Sequence, residues 1–536
     1  MENMDYDLRS VQEVRNLARK GQIATERLAT YTEEQIDRII RNMVRVAEEN
    51  AVSLAQMAVE ETGFGKVADK TYKNHMASTL LYDAIKDMKT VGVINEDPVA
   101  GTMDVADPVG LLMGIVPSTN PTSTAIFKSI IAVKSRNAIV FSPHPSAVKC
   151  TSRAAELMAQ AAVEAGAPEN TIGCITMTSM PATNELMHCN EVKMIIATGG
   201  PGMVKAAYSA GKPALGVGAG NSPAYIERTA NIKQAVTNII ASKTFDYGTI
   251  CASEQSIICE ECNKDAVIAE LKNQGAYFMS TEETEKVCKL LFKNGHAMNA
   301  KFVGRSPQVI ASAAGISIPA NTTVLIGPQG GVGEGYPLSY EKLTTVLAFY
   351  VVKDWHEACD LSIQLLQNGI GHTMSLHTED RNIILEFTRK PASRILVNTG
   401  GSMGGTGGST GLFPSFTLGC GTWGGSSTSE NVSPMNLINI KKVAFGQKAC
   451  ATMAADDPTF NHPELAQIPG AYGINAAAPT SSCGCSSTSQ YLTPEQYQSG
   501  ASHSGCCNGA KVSDQPIDAE QLNDIINMLA KALRGE

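Results

Sequence analysis

The sequence predicts an α/β protein with parallel β-sheets covered by helices on both faces. Three observations predict it: short apolar runs alternate with helical stretches from Val109 onward, Gly-rich turns separate them, and the apolar residues are mainly aliphatic, with only 2 Trp and 13 Phe among 536 residues. A chain of this length is too long for one compact core, so two or three domains are expected.

Residues 5–90 are predicted to be helical. The run from Thr32 to Glu60 places apolar side chains at helical spacing, which is typical of helices that bury one face. These apolar positions are Ile36, Ile39, Ile40, Met43, Val44, Val46, Ala47 and Leu54.

From Val109 the pattern changes to alternating strands and helices. GLLMGIVPST, NAIVFS and VKMIIAT are predicted strands, and TSTAIFKSIIAVKS is a predicted helix. A second set of such units runs from about Ile232 to Thr399, and its clearest strands are TTVLIG, TTVLAFYVV, HTMSLHT and SRILVNT. Strands joined by helices in this way form parallel sheets.

Three segments near the C-terminus differ in composition. Residues 400–433 are rich in Gly, Ser and Thr, and long irregular segments of this kind are often functional. Residues 448–512 are predicted to be a flexible linker. Residues 513–536 regain helical spacing, with one apolar stripe formed by Leu522, Ile525, Ile526, Leu529 and Leu533.

Charge and cysteine usage restrict the class of protein. A formal charge of −9 and a pI near 5.6 disfavour a nucleic-acid partner. The N-terminus lacks a secretory signal and the chain lacks a long apolar run, so a cytoplasmic protein without a membrane span is expected, with its 14 Cys reduced. No metal site is predicted, because the tail thiols match no zinc spacing: Cys483, Cys485, Cys506 and Cys507.

Cys251 is the first candidate for chemistry. It lies in FDYGTICASEQSII, where Gly248 allows a tight turn and SEQSII is a predicted strand. A cysteine at a loop-to-strand junction can be partly exposed near backbone N–H groups, and both features favour a reactive thiolate. A buried structural cysteine is an equally good interpretation of this local sequence.

Two turns and one histidine are candidate companions of Cys251. ATGGPG, residues 197–202, suits a cofactor phosphate at a helix N-terminus, although an incomplete glycine pattern also fits an ordinary turn. In VPSTNP, Asn120 or Thr119 is a candidate donor to an oxyanion, beside the N–H of Cys251, or a simple turn former. His372 in NGIGHT is a candidate to orient or deprotonate a thiol, or a histidine at the edge of the core.

Several segments together strongly resemble the CoA-acylating aldehyde dehydrogenases, both the stand-alone enzymes and the aldehyde dehydrogenase part of bifunctional aldehyde-alcohol dehydrogenase. The resemblance covers about residues 30–445. The segments that carry it are VPSTNPTSTAIFKSIIAVKSRNAIVFSPHPSA, KTFDYGTICASEQS, LSYEKLTTVLAFY, NGIGHT and FTLGCGTWGGSSTSENVSPMNLINIK.

The resemblance implies roles for individual residues. Cys251 matches the catalytic nucleophile, His372 a histidine close to it, and Glu341 a glutamate that contacts the nicotinamide ribose. The segment matching the adenine-ribose contact is Ser142, Pro143 and His144. The cofactor-phosphate turn corresponds to Thr198, Gly199, Gly200 and Gly202.

The resemblance also implies a domain plan. Residues 1–245 would hold the N-terminal helices and a Rossmann-type nucleotide-binding domain, and residues 246–433 an α/β catalytic domain. A small β extension, formed near residues 95–108 and by residues 434–447, would pair subunits into a homodimer or homotetramer.

One departure from the hydrolytic relatives predicts the fate of the acyl group. Those enzymes carry a glutamate that activates water, whereas the matching segment here is GVGAGNSP, with Val217 at that position. Without this base, attack by water is slow and the acyl-enzyme can wait for a CoA thiol.

The implied function is oxidation of a short aldehyde with NAD⁺ and CoA through a Cys251 thioester. Acetaldehyde is the expected substrate, propionaldehyde and sulfoacetaldehyde are alternatives, and NADP is not excluded. A non-acylating aldehyde dehydrogenase is a second interpretation, which Val217 disfavours. An inactive scaffold or cargo adaptor is a third, which the presence of Cys251, Glu341 and the glycine turn disfavours.

The end of the chain resembles the encapsulation peptides of bacterial microcompartment enzymes. A linker followed by a short amphipathic helix would direct the enzyme to a compartment lumen, with the shell or other cargo as partner. The alternative is a helix that packs on its own subunit or a neighbour.

Overall fold

The computed structural model describes residues 5–447, so the predicted linker and terminal helix lie outside the described residues. The predicted N-terminal helices are confirmed. A π-helical turn at Met76–Leu80 joins the last two of them. The five α-helices are α1 (Tyr6–Leu28), α2 (Glu33–Glu49), α3 (Ala51–Thr62), α4 (Val67–His75) and α5 (Leu81–Ile85).

The local sequence of α2 explains where this helix begins and which of its faces is buried. Thr32 caps its N-terminus: the Thr32 hydroxyl accepts from the Gln35 N–H and the Gln35 side chain accepts from the Thr32 N–H. The apolar stripe predicted for this helix is buried at Ile36, Ile39, Ile40, Met43 and Ala47, in the same apolar core as strands of the first sheet.

A first parallel sheet follows an antiparallel hairpin of β1 (Gly92–Asp97) and β2 (Thr102–Pro108). It has five strands in the order β5-β4-β3-β6-β7, and it confirms the predicted strands. Its central strands are buried along their whole length because helices cover both faces. Its elements are β3 (Leu111–Val116), α6 (Pro121–Lys134), β4 (Ile139–Pro143), α7 (Val148–Glu164), β5 (Ile172–Cys174), α8 (Met180–His188), β6 (Val192–Thr198), α9 (Pro201–Ser209) and β7 (Ala214–Val217).

A second parallel sheet has seven strands in the order β10-β13-β14-β9-β8-β15-β16. Two very short strands, β11 and β12, form a separate hairpin. The elements of this part are β8 (Ser222–Ile226), α10 (Ile232–Thr244), β9 (Glu254–Glu260), α11 (Lys264–Asn273), β10 (Ala276–Phe278), α12 (Thr281–Leu291), β11 (Phe292–Lys293), β12 (Ala297–Met298), α13 (Pro307–Ala314), β13 (Val324–Pro328), β14 (Val346–Val352), α14 (Trp355–Leu366), β15 (Gly371–His377), α15 (Arg381–Phe387), β16 (Ala392–Val397) and α16 (Gly401–Gly405).

The chain passes from one sheet to the other between β7 and β8. The boundary expected at residue 245 lies one strand and one helix later than this point. Strand β8 has only five residues and follows a glycine-rich segment, so it leaves no clear periodic signal in the sequence.

A third sheet completes the fold. Strand β17 (Ile438–Ala444) pairs antiparallel with β2, giving the order β1-β2-β17. The predicted α/β fold, with parallel sheets covered by helices and a small antiparallel extension, is thereby confirmed. Along β17 the side chains of Ile440 and Val443 are exposed. No helix between residues 5 and 447 is long and apolar enough to cross a membrane.

Candidate active site

A cavity of about 300 Å³ lies where the two parallel sheets meet. Segments after β3, β4, β6 and β7 reach it from the carboxyl ends of the first sheet, where ligands bind in open α/β sheets. Segments before β8, β9 and β14 reach it from the amino ends of the second sheet. Its wall includes Asn120, His144, Thr198, Gly199, Gly200, Val217, Cys251 and Glu341.

A tight turn delivers Cys251 to this cavity. Asp246, Tyr247 and Gly248 follow one another at φ of 49°, 51° and 75°, all in the left-handed region. A Cβ on Gly248 would lie 2.8 Å from the Thr344 carbonyl oxygen, so a larger residue does not fit. Cys251 is half-buried just before β9, at the loop-to-strand junction that the sequence predicts.

The electrostatics of the Cys251 thiol differ from the sequence-based expectation of a ready thiolate. Burial raises the pKa of Cys251 to about 12, and the negative charge of Glu341 adds to the effect. Arg394 opposes it with its positive charge. The physical reason is desolvation, which disfavours the charged form of an acid. At this pKa the thiol is protonated at pH 7, and its reaction requires a proton acceptor.

His372 lies in β15 and is fully buried. Its Nδ1 is 2.8 Å from the hydroxyl of Thr373, and its Nε2 has no hydrogen-bond partner among the described residues. Burial, together with the charge of Arg394, holds the pKa of His372 well below its usual value, so the ring is neutral.

His372 is absent from the cavity wall, but it borders the Cys251 backbone through Gly220. A Cβ on Gly220 would lie 1.9 Å from the Cys251 carbonyl oxygen and 3.4 Å from Cδ2 of His372. The position accepts only glycine, which allows the histidine ring and the cysteine loop to approach each other.

Glu341 is half-buried and lies on the cavity wall. One carboxylate oxygen accepts a hydrogen bond from the Gly220 N–H at 2.9 Å. Burial raises the pKa of Glu341 to about 7. This carboxyl group is therefore divided between its charged and neutral forms near neutral pH.

Asn120 caps α6, and its side chain makes no bond to its own helix. The side-chain oxygen accepts from the Lys73 ammonium at 2.6 Å. The amide nitrogen donates to the Thr119 hydroxyl at 3.1 Å and to the Thr249 carbonyl at 3.3 Å. The Asn120 amide thus connects the end of β3 to the turn that carries Cys251.

The predicted cofactor turn lies at the end of β6 and the start of α9. Thr198, Gly199 and Gly200 line the cavity, and Gly202 does not. A Cβ on Gly200 or Gly202 would meet no atom within 4 Å, so the space beside this helix N-terminus is open to a phosphate group.

The predicted adenine-ribose segment is only partly exposed to the cavity. His144 lines it, whereas Ser142 and Pro143 are buried in β4. The Ser142 hydroxyl lies 3.0 Å from that of Thr183 and is used inside the first domain. These two residues therefore support the segment, and His144 is the member that faces the cavity.

The Gly-rich residues 400–433 fold against the site. Thr406, Phe416 and Leu418 line the cavity. Arg394, which is 3% exposed, holds this segment to β15: its guanidinium donates to the carbonyls of His372 at 2.9 Å and Gly419 at 2.6 Å. The sequence reasoning missed Arg394, whose only signal is a charged residue inside the predicted strand SRILVNT.

Replacement of Arg394 by lysine is expected to lower the free energy of unfolding by about 2 kcal/mol or more, because one ammonium cannot reproduce the planar set of donors. The shift of the thermal unfolding midpoint measures it. Arg389→Lys is the matched control, since Arg389 is exposed and pairs only with Glu386. Equal midpoints for the two variants would show that the Arg394 contacts do not stabilise the fold.

No cluster of three or more His, Cys, Asp or Glu side chains suitable for a metal ion occurs between residues 5 and 447. A larger cavity of about 560 Å³ lies beside α12 and the loop after β13, and it contains none of the predicted site residues.

Sequence comparisons identify the family. The model of the aldehyde dehydrogenase family matches residues 4–286. The chain is 48% identical over 442 residues to bifunctional aldehyde-alcohol dehydrogenase AdhE of Escherichia coli K12, covering 81% of this chain and 50% of that protein. It is 39% identical over 438 residues to succinate-semialdehyde dehydrogenase (acetylating) of Clostridium kluyveri, covering 81% of this chain and 96% of that protein. The chain thus spans about half the length of the aldehyde-alcohol dehydrogenases it matches.

Comparison with solved structures identifies the same family. An acetylating aldehyde dehydrogenase from Geobacillus thermoglucosidasius superimposes with a TM-score of 0.82 at 54% identity, covering 83% of this chain and 99% of that one. A propionaldehyde dehydrogenase of Rhodopseudomonas palustris, with bound CoA and an acylated cysteine, superimposes with a TM-score of 0.73 at 28% identity. The match covers 81% of this chain and 97% of that one. A propionaldehyde dehydrogenase from the Clostridium phytofermentans fucose utilisation bacterial microcompartment superimposes with a TM-score of 0.74 at 25% identity. The match covers 82% of this chain and 98% of that one. The chain belongs to the aldehyde dehydrogenase family, in its CoA-acylating branch.

Proposed function

We propose that the chain oxidises a short aldehyde to its acyl-CoA, with NAD⁺ as hydride acceptor and a thioester on Cys251 as intermediate. One observation carries the proposal: Cys251 and Val217 line the same cavity, so a nucleophile is present where the water-activating base of the hydrolytic relatives is replaced by an apolar side chain.

The first step is addition of Cys251 to the aldehyde. Its Sγ bonds to the carbonyl carbon while the thiol proton leaves to a neighbouring base. His372 is the candidate acceptor, because its ring is neutral and its Nε2 is unpaired among the described residues. The carbonyl oxygen becomes negative, and the Asn120 amide and the Cys251 N–H are the donors proposed to stabilise it.

Cofactor binding is proposed at the carboxyl ends of the first sheet, together with Glu341 from the segment before β14. Thr198, Gly199, Gly200 and Gly202 would hold the phosphates, Ser142, Pro143 and His144 would flank the adenine ribose, and Glu341 would contact the nicotinamide ribose. Bound nicotinamide supplies the site with a hydride acceptor. NAD⁺ is favoured over NADP⁺ because residues 141–145 contain no Lys or Arg to pair with a 2′-phosphate.

Release of the acyl group requires a thiol from CoA. The CoA sulfur bonds to the acyl carbon, the bond to Cys251 Sγ breaks, and the enzyme thiol is restored. Residues 400–433 are the proposed entry for CoA, because part of this segment forms the cavity wall. Val217 keeps that part of the wall apolar and without a base, which slows attack by water.

Substrate, assembly and location complete the proposal. Acetaldehyde is the proposed substrate, and propionaldehyde and sulfoacetaldehyde, after which similar enzymes are named, are the alternatives. Exposed apolar side chains on β17 support subunit pairing through the three-stranded sheet, in a homodimer or homotetramer. A cytoplasmic microcompartment lumen, reached through residues 513–536, is proposed because one similar structure comes from such a compartment.

An assay with and without CoA tests the function. Purified protein is mixed with each of the three aldehydes and with NAD⁺ or NADP⁺, and reduced cofactor and acyl products are quantified. With CoA, steady turnover to acyl-CoA is expected; without it, NADH formation stops at about one equivalent per Cys251, because the thioester accumulates. Steady release of free carboxylate without CoA would identify a non-acylating enzyme instead.

A further inference from the structure

We propose that Lys73 is a positioning residue for the reaction: its buried ammonium sets the direction of the Asn120 side-chain amide and polarises it toward the aldehyde oxygen. The inference rests on the proposed function, in which Asn120 donates a hydrogen bond to the oxyanion.

The first step is the orientation of the amide. Lys73 lies in α4, is 1% exposed, and contacts the Asn120 side chain through one hydrogen bond of 2.6 Å. An ammonium group has donors only, so the Asn120 atom that faces it must be the carbonyl oxygen. The amide NH₂ is therefore directed away from Lys73, toward Thr119 and Thr249, and a hydrogen bond to the aldehyde oxygen would replace one of these two contacts. Flipping the amide would place two donor groups against each other.

The second step is the charge that acts on the amide. Asp246 is fully buried, and its Oδ2 is 2.5 Å from the Lys73 Nζ. Burial lowers the pKa of Lys73 to about 8, and the charge of Asp246 opposes that shift, so the ammonium form is favoured at pH 7. A hydrogen bond from a cation to the amide oxygen draws electron density from the amide nitrogen and strengthens its N–H groups as donors.

The third step links the two reacting partners. Asp246 is the first residue of the left-handed turn that leads to Cys251, and its Oδ1 also accepts from the Lys66 N–H at 2.8 Å. Lys73 donates further to the Thr249 hydroxyl at 3.0 Å. One buried ion cluster therefore holds both the proposed oxyanion donor and the turn of the nucleophile.

The chain contains a matched control for Lys73. Lys70 is 2% exposed and lies 2.8 Å from the same Asp246 oxygen, in the same helix. It bonds the Thr119 backbone carbonyl at 2.8 Å and does not touch the Asn120 side chain. The two lysines share burial and the same ion-pair partner. Lys73 contacts the Asn120 amide and the Thr249 hydroxyl, whereas Lys70 contacts the Thr119 carbonyl.

The test measures the rate of the first-turnover NADH burst, with KM, for Lys73→Met and Lys70→Met, each with Asn120 present and with Asn120→Ala. Lys73→Met is expected to slow the burst by about 10- to 100-fold when Asn120 is present and by no more than about 2-fold when it is absent, because it acts through that side chain. Lys70→Met is expected to have a smaller effect that is equal in both backgrounds.

Equal effects of Lys73→Met in the two backgrounds, or equal effects of the two lysine variants, would overturn the inference. Asn120→Ala alone is expected to slow the burst by about 10²- to 10³-fold. A normal burst in that variant would instead refute the proposed role of Asn120. If Lys73→Met does not fold, Lys73→Gln and Lys70→Gln replace the methionine pair. Lys73→Gln keeps a neutral donor, so its burst rate is expected to fall by less, and only when Asn120 is present.

Discussion

Replacing Cys251 by alanine is expected to lower the rate of aldehyde-dependent NADH formation by about 10⁴-fold or more. The reason is covalent: without the sulfur, hydride transfer would have to proceed from a hydrated aldehyde with no thioester intermediate. The measurement combines initial rates with intact-protein mass spectrometry after mixing aldehyde and NAD⁺ without CoA. Wild-type protein is expected to gain one acyl group, located at position 251.

Cys262→Ala is the matched control for this prediction. Cys262 is an exposed thiol in the turn just after β9, so it is more accessible to reagents than Cys251 but lies outside the cavity wall. Its replacement is expected to leave the rate and the acyl adduct unchanged. An adduct that persists in Cys251→Ala, or that is lost in Cys262→Ala, would contradict the assignment of the nucleophile.

Replacing Val217 by glutamate is expected to give steady, CoA-independent release of free carboxylate, about 10²-fold or more above the wild-type rate. Val217 pairs with Thr198 at the end of β7, is 2% exposed, and lies on the same cavity wall as Cys251. Burial is expected to raise the pKa of the new carboxyl group toward neutrality, as it does for Glu341, and such a group is an efficient general base for water.

Val217→Gln separates the base from the effect of volume and polarity. Glutamine has almost the same shape as glutamate and disturbs the apolar wall in the same way, but it cannot accept a proton from water. Hydrolysis in the glutamate variant alone is therefore the expected result, measured as carboxylate formed per NADH. Equal hydrolysis in both variants would indicate that water entry, and not the missing base, protects the thioester in the wild type.

Local pattern accounts for much of the fold. The burial rhythm of α2, the short apolar strands and the glycine turn after β6 are properties of neighbouring residues, so periodicity and turn chemistry predict them. Strand β8 is short and has no such rhythm, so local pattern does not show where the second sheet begins. The resemblance to a known family added a small β extension, and the antiparallel pairing of β17 with β2 confirms that such a sheet is present.

The contacts of the candidate site cannot be predicted from local sequence patterns. Lys73 lies 47 residues from Asn120 and 173 from Asp246 in the chain, and Arg394 lies 22 residues from His372. No spacing rule connects residues so far apart. Each of these lysine and arginine side chains is also buried, which sequence statistics disfavour, and each is retained by partners that only the folded chain supplies.

The sequence by itself determined the fold class, the strand that follows Cys251, and the absence of a glutamate at position 217. The tertiary structure alone decided the protonation of Cys251 and His372, the direction of the Asn120 amide, and the attachment of residues 400–433 to the cavity. The physical reason is that pKa values and hydrogen-bond direction depend on desolvation and on charges within a few ångströms, and folding determines which distant residues come that close.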